Sequence, residues 1–258
     1  MTHATALRRP STVLLASIVP VALIGMWQLV ASAHVFSESQ LPAPTDVARA
    51  LVVLLSDGEL WMHLQASLRR VFLGFVCGAT AGLILGSLVG LSLTAKRLLG
   101  PSVGAIRTVP SLAWVPLLLL WFGIGEEPKV LLVAIGAFFP IYTTTASALA
   151  HVDDHLLEVG QAYGRHGARL LLTIALPAAA PELINGLRLG LANAWMFLVA
   201  AELIASSRGL GFLLIDSQNT GRTDVMLLMI LLLAVLGKLT DTVLVLGERM
   251  VVRQRANR

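Results

Sequence analysis

Apolar runs of about 20 residues alternate along this chain with short polar intervals, a pattern that predicts six helices of membrane-crossing length. The runs cover roughly 13–33, 71–93, 106–124, 130–150, 186–205 and 225–246. At 1.5 Å per residue the first is about 30 Å long, enough to cross the hydrocarbon core. Ala31, Ser32 and Ala33 also look like a small-x-small cleavage site, but the run is longer than a signal-peptide core and further spans follow. An uncleaved first helix is therefore expected. In the interval 34–66, the Leu-Pro-Ala-Pro run at 41–44 reads as an extended connector. Thr45 or Asp46 then caps an amphipathic helix whose Val47, Leu51, Leu54 and Leu55 share a face, too short to span and suited to an interface.

The second run carries glycine at every fourth position: Gly74, Gly78, Gly82, Gly86 and Gly90. Four residues turn a helix by about 400°, so these glycines drift only about 40° per step and form one winding groove for a neighbouring helix. Lys96 and Arg97 follow, and Gly100 with Pro101 opens the third segment, in which Pro110 and Pro116 are internal. Such prolines free carbonyls that neighbours or water must meet, so they belong beside a partner helix or a cavity. The fourth run holds Pro140 and a Tyr-Thr-Thr-Thr patch at 142–145. The fifth holds Gly186, Gly190, Asn193, Trp195 and Glu202. In the sixth, Lys238 and Asp241 are three apart, hence on one face, and are expected to neutralise each other inside the bundle, a contact with the solute being the alternative.

Between the fourth and fifth runs lies the longest polar interval of the second half, 151–185. Within it Glu158, Val159, Gly160, Gly164, Arg165, Ile174, Leu176 and Pro177 form a spaced set. Gly164 can supply the positive φ that ends one short helix and turns the chain into another, and Pro177 marks where the second must stop or kink. A helix-turn-helix knob lying against the membrane surface is expected.

Composition agrees with a membrane protein. Of 258 residues 56% are hydrophobic and 13% charged, with mean hydropathy +0.81, too few charges to cover a soluble surface. The net charge of +4 forms no continuous basic stripe, so nucleic acid is not a partner; the tail arginines Arg249, Arg253, Arg255 and Arg258 suit anionic lipid headgroups. Cys77 is the only cysteine, which excludes an intramolecular disulfide. Placing both termini in the cytoplasm puts Arg8, Arg9, Lys96, Arg97, Arg107, Arg165, Arg169, Arg188 and the tail inside. Arg49, Arg69, Arg70, Lys129, Arg208 and Arg222 then fall outside, a bias in keeping with that orientation. No phosphate-binding Gly-x-x-x-x-Gly-Lys-Ser/Thr run, no His-Glu-x-x-His pair and no nucleophile turn occurs, so no catalytic, metal or cofactor site is expected.

The spacing of the Glu158 set resembles the EAA loop of ABC importer permeases, in which the small positions are usually alanine and here are Val159 and Gly160. Further stretches point the same way: the 41–44 connector, Ser67 to Arg70, the Pro116 to Gly125 run, Phe139 to Tyr142 and Gly237 with Lys238. Over nearly the whole chain they resemble the sulfonate, nitrate and taurine group of these permeases, aliphatic sulfonate permeases above all. The resemblance implies an all-α polytopic domain over 1–258 with the type I importer fold, in the inner membrane. It implies a homodimer, two cytosolic ABC ATPase subunits that bind ATP and magnesium, and an extracytoplasmic solute-binding protein. Glu158 would cap or fix the first helix of the coupling loop, Gly164 would be its hinge and Arg165 a surface contact. For an anionic solute, Arg69, Arg70 and Arg208 at the outer mouth are candidate attractors. Taurine, nitrate, bicarbonate or a pyrimidine are alternative solutes. A channel or secondary transporter would lack the glycine-jointed knob, and a membrane enzyme would need a convergent acid, base or metal set.

Overall fold

The computed structural model describes residues 10–33 and 35–256; Arg8, Arg9, His34 and Arg258, with His3, lie outside the described residues. Among the described residues all regular structure is helical. In chain order the helices are α1 Pro10–Ser32, α2 Pro44–Ser56, α3 Glu59–Leu91, α4 Leu93–Thr108, α5 Trp114–Phe122 and α6 Glu127–Ala150. They continue with α7 Asp154–Ala162, α8 Gly167–Leu170, α9 Leu176–Ala205, α10 Leu210–Asn219 and α11 Thr223–Ala256. Among the described residues four stretches are long and apolar enough to cross a membrane: Glu59–Leu91, Glu127–Ala150, Leu171–Ala205 and Thr223–Gly247; Ile18–Ser32 is a shorter apolar segment. The chain divides into two compact units, Met1–Trp61 with Leu213–Leu231, and Met62–Phe212 with Leu232–Arg258.

In the first unit the indole N–H of Trp27 donates to the Pro42 carbonyl at 3.0 Å, tying α1 to the 41–44 connector. The second helix is capped at Ala43, two residues before Thr45 and three before Asp46, the expected caps: Pro44 takes its first position, where a missing N–H costs nothing, and the Asp46 carboxylate accepts the Ala43 N–H at 3.2 Å. Its buried face is Val47, Ala50 and Leu54, whereas Leu55, expected on that face, is 59% exposed. The i, i+3, i+7 row won over a row that included Leu55.

In the second unit α3 lies along α6, and the glycine series is the reason it can. A β-carbon on Gly74 would fall 2.6 Å from Val133 Cβ, on Gly86 2.7 Å from Thr145 Cβ, and on Gly90 2.9 Å from the Ala146 carbonyl oxygen. Partner positions rise together along both helices, so the pair is parallel. The ninth helix runs antiparallel to α6, with Gly186 against Thr144 and Gly190 against Ile141. Val71, Val133, Ala137, Ile141, Leu191, Ala194 and Leu198 form the core between the three. Trp195 adds a polar tie from its Nε1–H to Thr240 Oγ1 on α11 at 3.0 Å.

Two expected boundaries need correction. The third run is not one helix: α4 begins at Leu93, capped by Ser92 Oγ accepting from Ala95 N at 3.2 Å, and carries Lys96, Arg97 and Pro101 within it. It ends at Thr108 because Val109, ahead of Pro110, takes the extended backbone (ψ 124°) that a following proline demands. A single 3₁₀ turn, Ser111–Ala113, leads into the nine-residue α5, whose Pro116 sits in the first turn and interrupts no hydrogen bond. The fifth run, in turn, does not begin near 186. Helical backbone is continuous from Gly167 through Ala205, so the second half of the expected 151–185 loop is the start of that span.

Candidate functional site

The polar interval after α6 folds as two helices joined at a tight corner. Asp153 caps α7, its Oδ1 accepting from His155 N at 2.9 Å, so the cap is Asp153 and not Glu158. Glu158 stands on the outer face of the helix, 73% exposed, 3.8 Å from His155 Nδ1. Helix α7 ends where Gly164 adopts φ 73°. Arg165 N donates to the Gly160 carbonyl at 3.0 Å and Gly164 N to that of Gln161 at 2.9 Å, the paired bonds of a Schellman stop.

Gly160 has a second role. A β-carbon there would collide with Leu170 Cδ1 and Ile174 Cδ1, so the absent side chain lets α7 fold back on the helix that follows. Gly160 and Ile174 thereby form one packing contact, across the turn that the φ of Gly164 makes. Pro177 neither stops nor visibly breaks that second helix. The backbone widens into a π turn over Leu171–Ala175, with Leu176 N donating to Leu171 O, just before the proline whose ring would crowd the Thr173 carbonyl. Outside this packed corner α7 presents Leu156 (47% exposed), Val159 (54%) and Tyr163 (81%), with Arg165 exposed beside them.

At the opposite ends of α6 and α9 a second cluster assembles from four segments. His63, Ser67 and Arg70 share a face of α3. The Ser67 hydroxyl donates to the fully buried Glu202 carboxylate (2.8 and 2.9 Å) and accepts from Leu210 N at 2.8 Å. Gly209 N donates to His63 Nδ1 at 3.0 Å, and Gly211 N to Glu202 Oε2 at 2.8 Å. Arg70 donates from Nη1 to Glu202 Oε1 at 2.7 Å and to the Arg208 carbonyl at 2.6 Å. Its Nε and Nη2 form a fork on Glu126 at 2.7 and 2.6 Å, and Lys129 Nζ reaches Glu126 Oε1 at 3.1 Å. The hydrogen bonds from the Arg70 guanidinium, with Lys129 beside it, hold the Glu126 carboxyl well below the usual range, at about 2, against the opposing effect of partial burial.

Of the three arginines expected at an outer mouth, then, Arg69 and Arg208 are exposed, but Arg70 is 3% exposed and its guanidinium is already held by two carboxylates. Sequence reading missed that network. Its signal was Glu202 in an apolar run followed by Gly209-Leu-Gly211: a β-carbon on Gly209 or Gly211 would run into Glu202, so these glycines let the backbone close on the carboxylate and the Gly211 N–H reach it. Asp241, expected to pair with Lys238, has a nearer partner. Arg188 on α9 clasps it at 2.7 and 3.2 Å, while Lys238, 76% exposed, stands 3.4 Å away.

Residues 78–252 match the profile described as "Binding-protein-dependent transport system inner membrane component". The chain is 40% identical over 238 residues, 92% of its length and 86% of the relative's, to a protein named as an aliphatic sulfonates transport permease, SsuC of Bacillus subtilis (strain 168). It is 37% identical over 224 residues (85% and 82%) to the taurine transport system permease TauC of Escherichia coli (strain K12). In fold it is similar to a chain of the inward-facing MetNI methionine ABC transporter, with TM-score 0.60 at 23% identity, covering 80% of this chain and 97% of that one. An all-helical membrane fold, a glycine-stopped knob between two spans and these similarities converge: the chain belongs to the binding-protein-dependent transport system inner membrane components, as an ABC importer permease of the sulfonate and taurine group.

Proposed function

We propose that this chain is the membrane subunit of an ATP-driven importer, moving a small organic anion, with an aliphatic sulfonate favoured, into the cytoplasm. The observation that carries the reading is α7, which stands on the corner made by Gly160, Gly164 and Ile174 with Leu156, Val159 and Tyr163 turned outward. Apolar side chains exposed on a short helix beyond the span suit docking in a groove of a cytosolic ATPase. Because α8 continues into α9 without a break, force applied at α7 reaches a membrane-crossing helix directly.

In this reading ATP closes a pair of ATPase subunits, which bind the nucleotide and magnesium; the docked α7 follows, and two copies of the permease rock to face an extracytoplasmic binding protein. Hydrolysis returns them inward. Both termini and the α7 corner, residues 151–166, are cytoplasmic, and the Arg70 cluster, at the other ends of α6 and α9, is external. The sulfonate preference rests on the relatives' names and on the exposed cations Arg69 and Arg208 near that cluster.

Reconstitution with the cognate ATPase and binding protein tests the coupling. Tyr163→Asp should abolish sulfonate-stimulated ATP hydrolysis while membrane insertion is unchanged; normal stimulation refutes docking through α7. Cysteine labelling from the exterior at positions 156 or 163 would overturn the orientation.

A further inference from the structure

Arg70 and Lys129 are 3% and 5% exposed, yet the one carboxylate on which both converge, Glu126, is 57% exposed. The other acid of the cluster cannot take its place: Glu202 is fully buried and held by Ser67, Gly211 N and Arg70 Nη1. With Glu126 in position, Arg70 and Lys129 balance Glu126 and Glu202. Were Glu126 to swing out, one uncompensated buried positive charge would remain, which demands another anion in the same place.

The arrangement of donors admits a broader head group than a carboxylate. Three N–H groups, Arg70 Nε and Nη2 and Lys129 Nζ, face Glu126, but a carboxylate brings two oxygens, and Oε1 is shared between Nη2 at 2.6 Å and Nζ at 3.1 Å. A head group with three oxygens on one centre, such as R–SO₃⁻, gives each donor its own acceptor, and a guanidinium fork accepts it in the same two-point manner. Glu126 lies in the turn between α5 and α6, immediately before the first residue of α6, so its departure disturbs no helix.

We propose that Arg70 and Lys129 form an oxyanion site, which Glu126 fills as an internal stand-in and which the sulfonate head of a passing solute takes over. The proposal rests on the reading that the solute is an anion. It makes Glu126 a gate whose opening is driven by the ligand that replaces it.

The test is thermal unfolding of the full chain in lipid-free detergent, as wild type, Glu126→Ala and Glu126→Gln, with sodium ethanesulfonate or with sodium chloride at equal ionic strength. Both variants should melt below wild type and recover with ethanesulfonate but not chloride, at a concentration about tenfold lower than any wild-type response, since no internal ligand competes. Adding Arg70→Gln to Glu126→Gln should remove the recovery. In wild type, ethanesulfonate should raise carbodiimide modification of Glu126, read by mass spectrometry, about tenfold as the carboxylate leaves its cations. No sulfonate-specific recovery in the variants, or no change in wild-type labelling if the variants do not fold, overturns the site and leaves Glu126 a fixed strut. Recovery only with phosphatidylglycerol would assign the cradle to lipid phosphate and overturn it for solute. Uptake is scored separately: rescue without sulfonate uptake refutes the transport reading alone, and uptake without rescue refutes the site alone.

Discussion

Ile174 Cδ1 occupies the space where a side chain on Gly160 would begin, so the two residues, fourteen apart in sequence, set how closely α7 folds onto the helix leading into α9. Gly160→Val should push α7 outward at a cost of about 1–3 kcal/mol, the range for overpacking a tight contact. Adding Ile174→Ala should restore part of the loss. A double-mutant cycle on unfolding temperature and stimulated ATP hydrolysis measures it, and strictly additive effects would show that the contact does not join the two positions.

Gly164 is different, because nothing lies within 4 Å of a β-carbon there and only its φ of 73° is demanding. Gly164→Asn should therefore be tolerated, while Gly164→Val, branched at Cβ, should cost about 1–3 kcal/mol of local strain and loosen the corner. Protease sensitivity of residues 160–170 should rise in the valine variant alone.

Removing the Glu202 charge leaves Arg70 without its buried partner and two other donors, the Ser67 hydroxyl and the Gly211 N–H, short of an acceptor. Glu202→Ala should destabilise by about 3–5 kcal/mol, a loss visible as failure to survive detergent extraction. Glu202→Gln, which keeps one oxygen, should fall between alanine and wild type.

The Glu126 carboxyl, held at about 2 in the folded chain, titrates near 4.3 when unfolded. Its pairing therefore stabilises fully above the unfolded value and is lost as pH falls from there toward 2. Over that window the unfolding temperature of wild type should drop more steeply than that of Glu126→Gln; equal slopes would mean that Glu126 is not so held.

Two cations reach Asp241, but they are not equivalent. Arg188 forks onto it at 2.7 and 3.2 Å, whereas Lys238 is 76% exposed at 3.4 Å. Lys238→Ala should change the unfolding temperature little, and Arg188→Ala clearly more. The comparison is a melting curve of each variant under one condition.

These pairs show where sequence reading reaches and where it stops. Glycine at every fourth position announces a close helix contact because its period matches the helix, and Gly164 announces a stop because few other residues take its φ. Both are local rules. Arg70 meeting Glu126 and Glu202 is not, since those partners come 56 and 132 residues later and no spacing rule links them. Pro110 against Pro177 is the same lesson in the backbone. One proline splits its run at Thr108, while the other is absorbed by a π turn over Leu171–Ala175 that no sequence rule announces.

The unbroken run from Gly167 to Ala205 makes the corner and the span a single crank. On the coupling proposed above, a torque passed from α7 through the turn at Gly164 would meet no further slack chain, so it would rotate or tilt the whole shaft, and Glu202, near the far tip, would ride on it. Whatever grips one extremity is thus geared to the charged joint at the other.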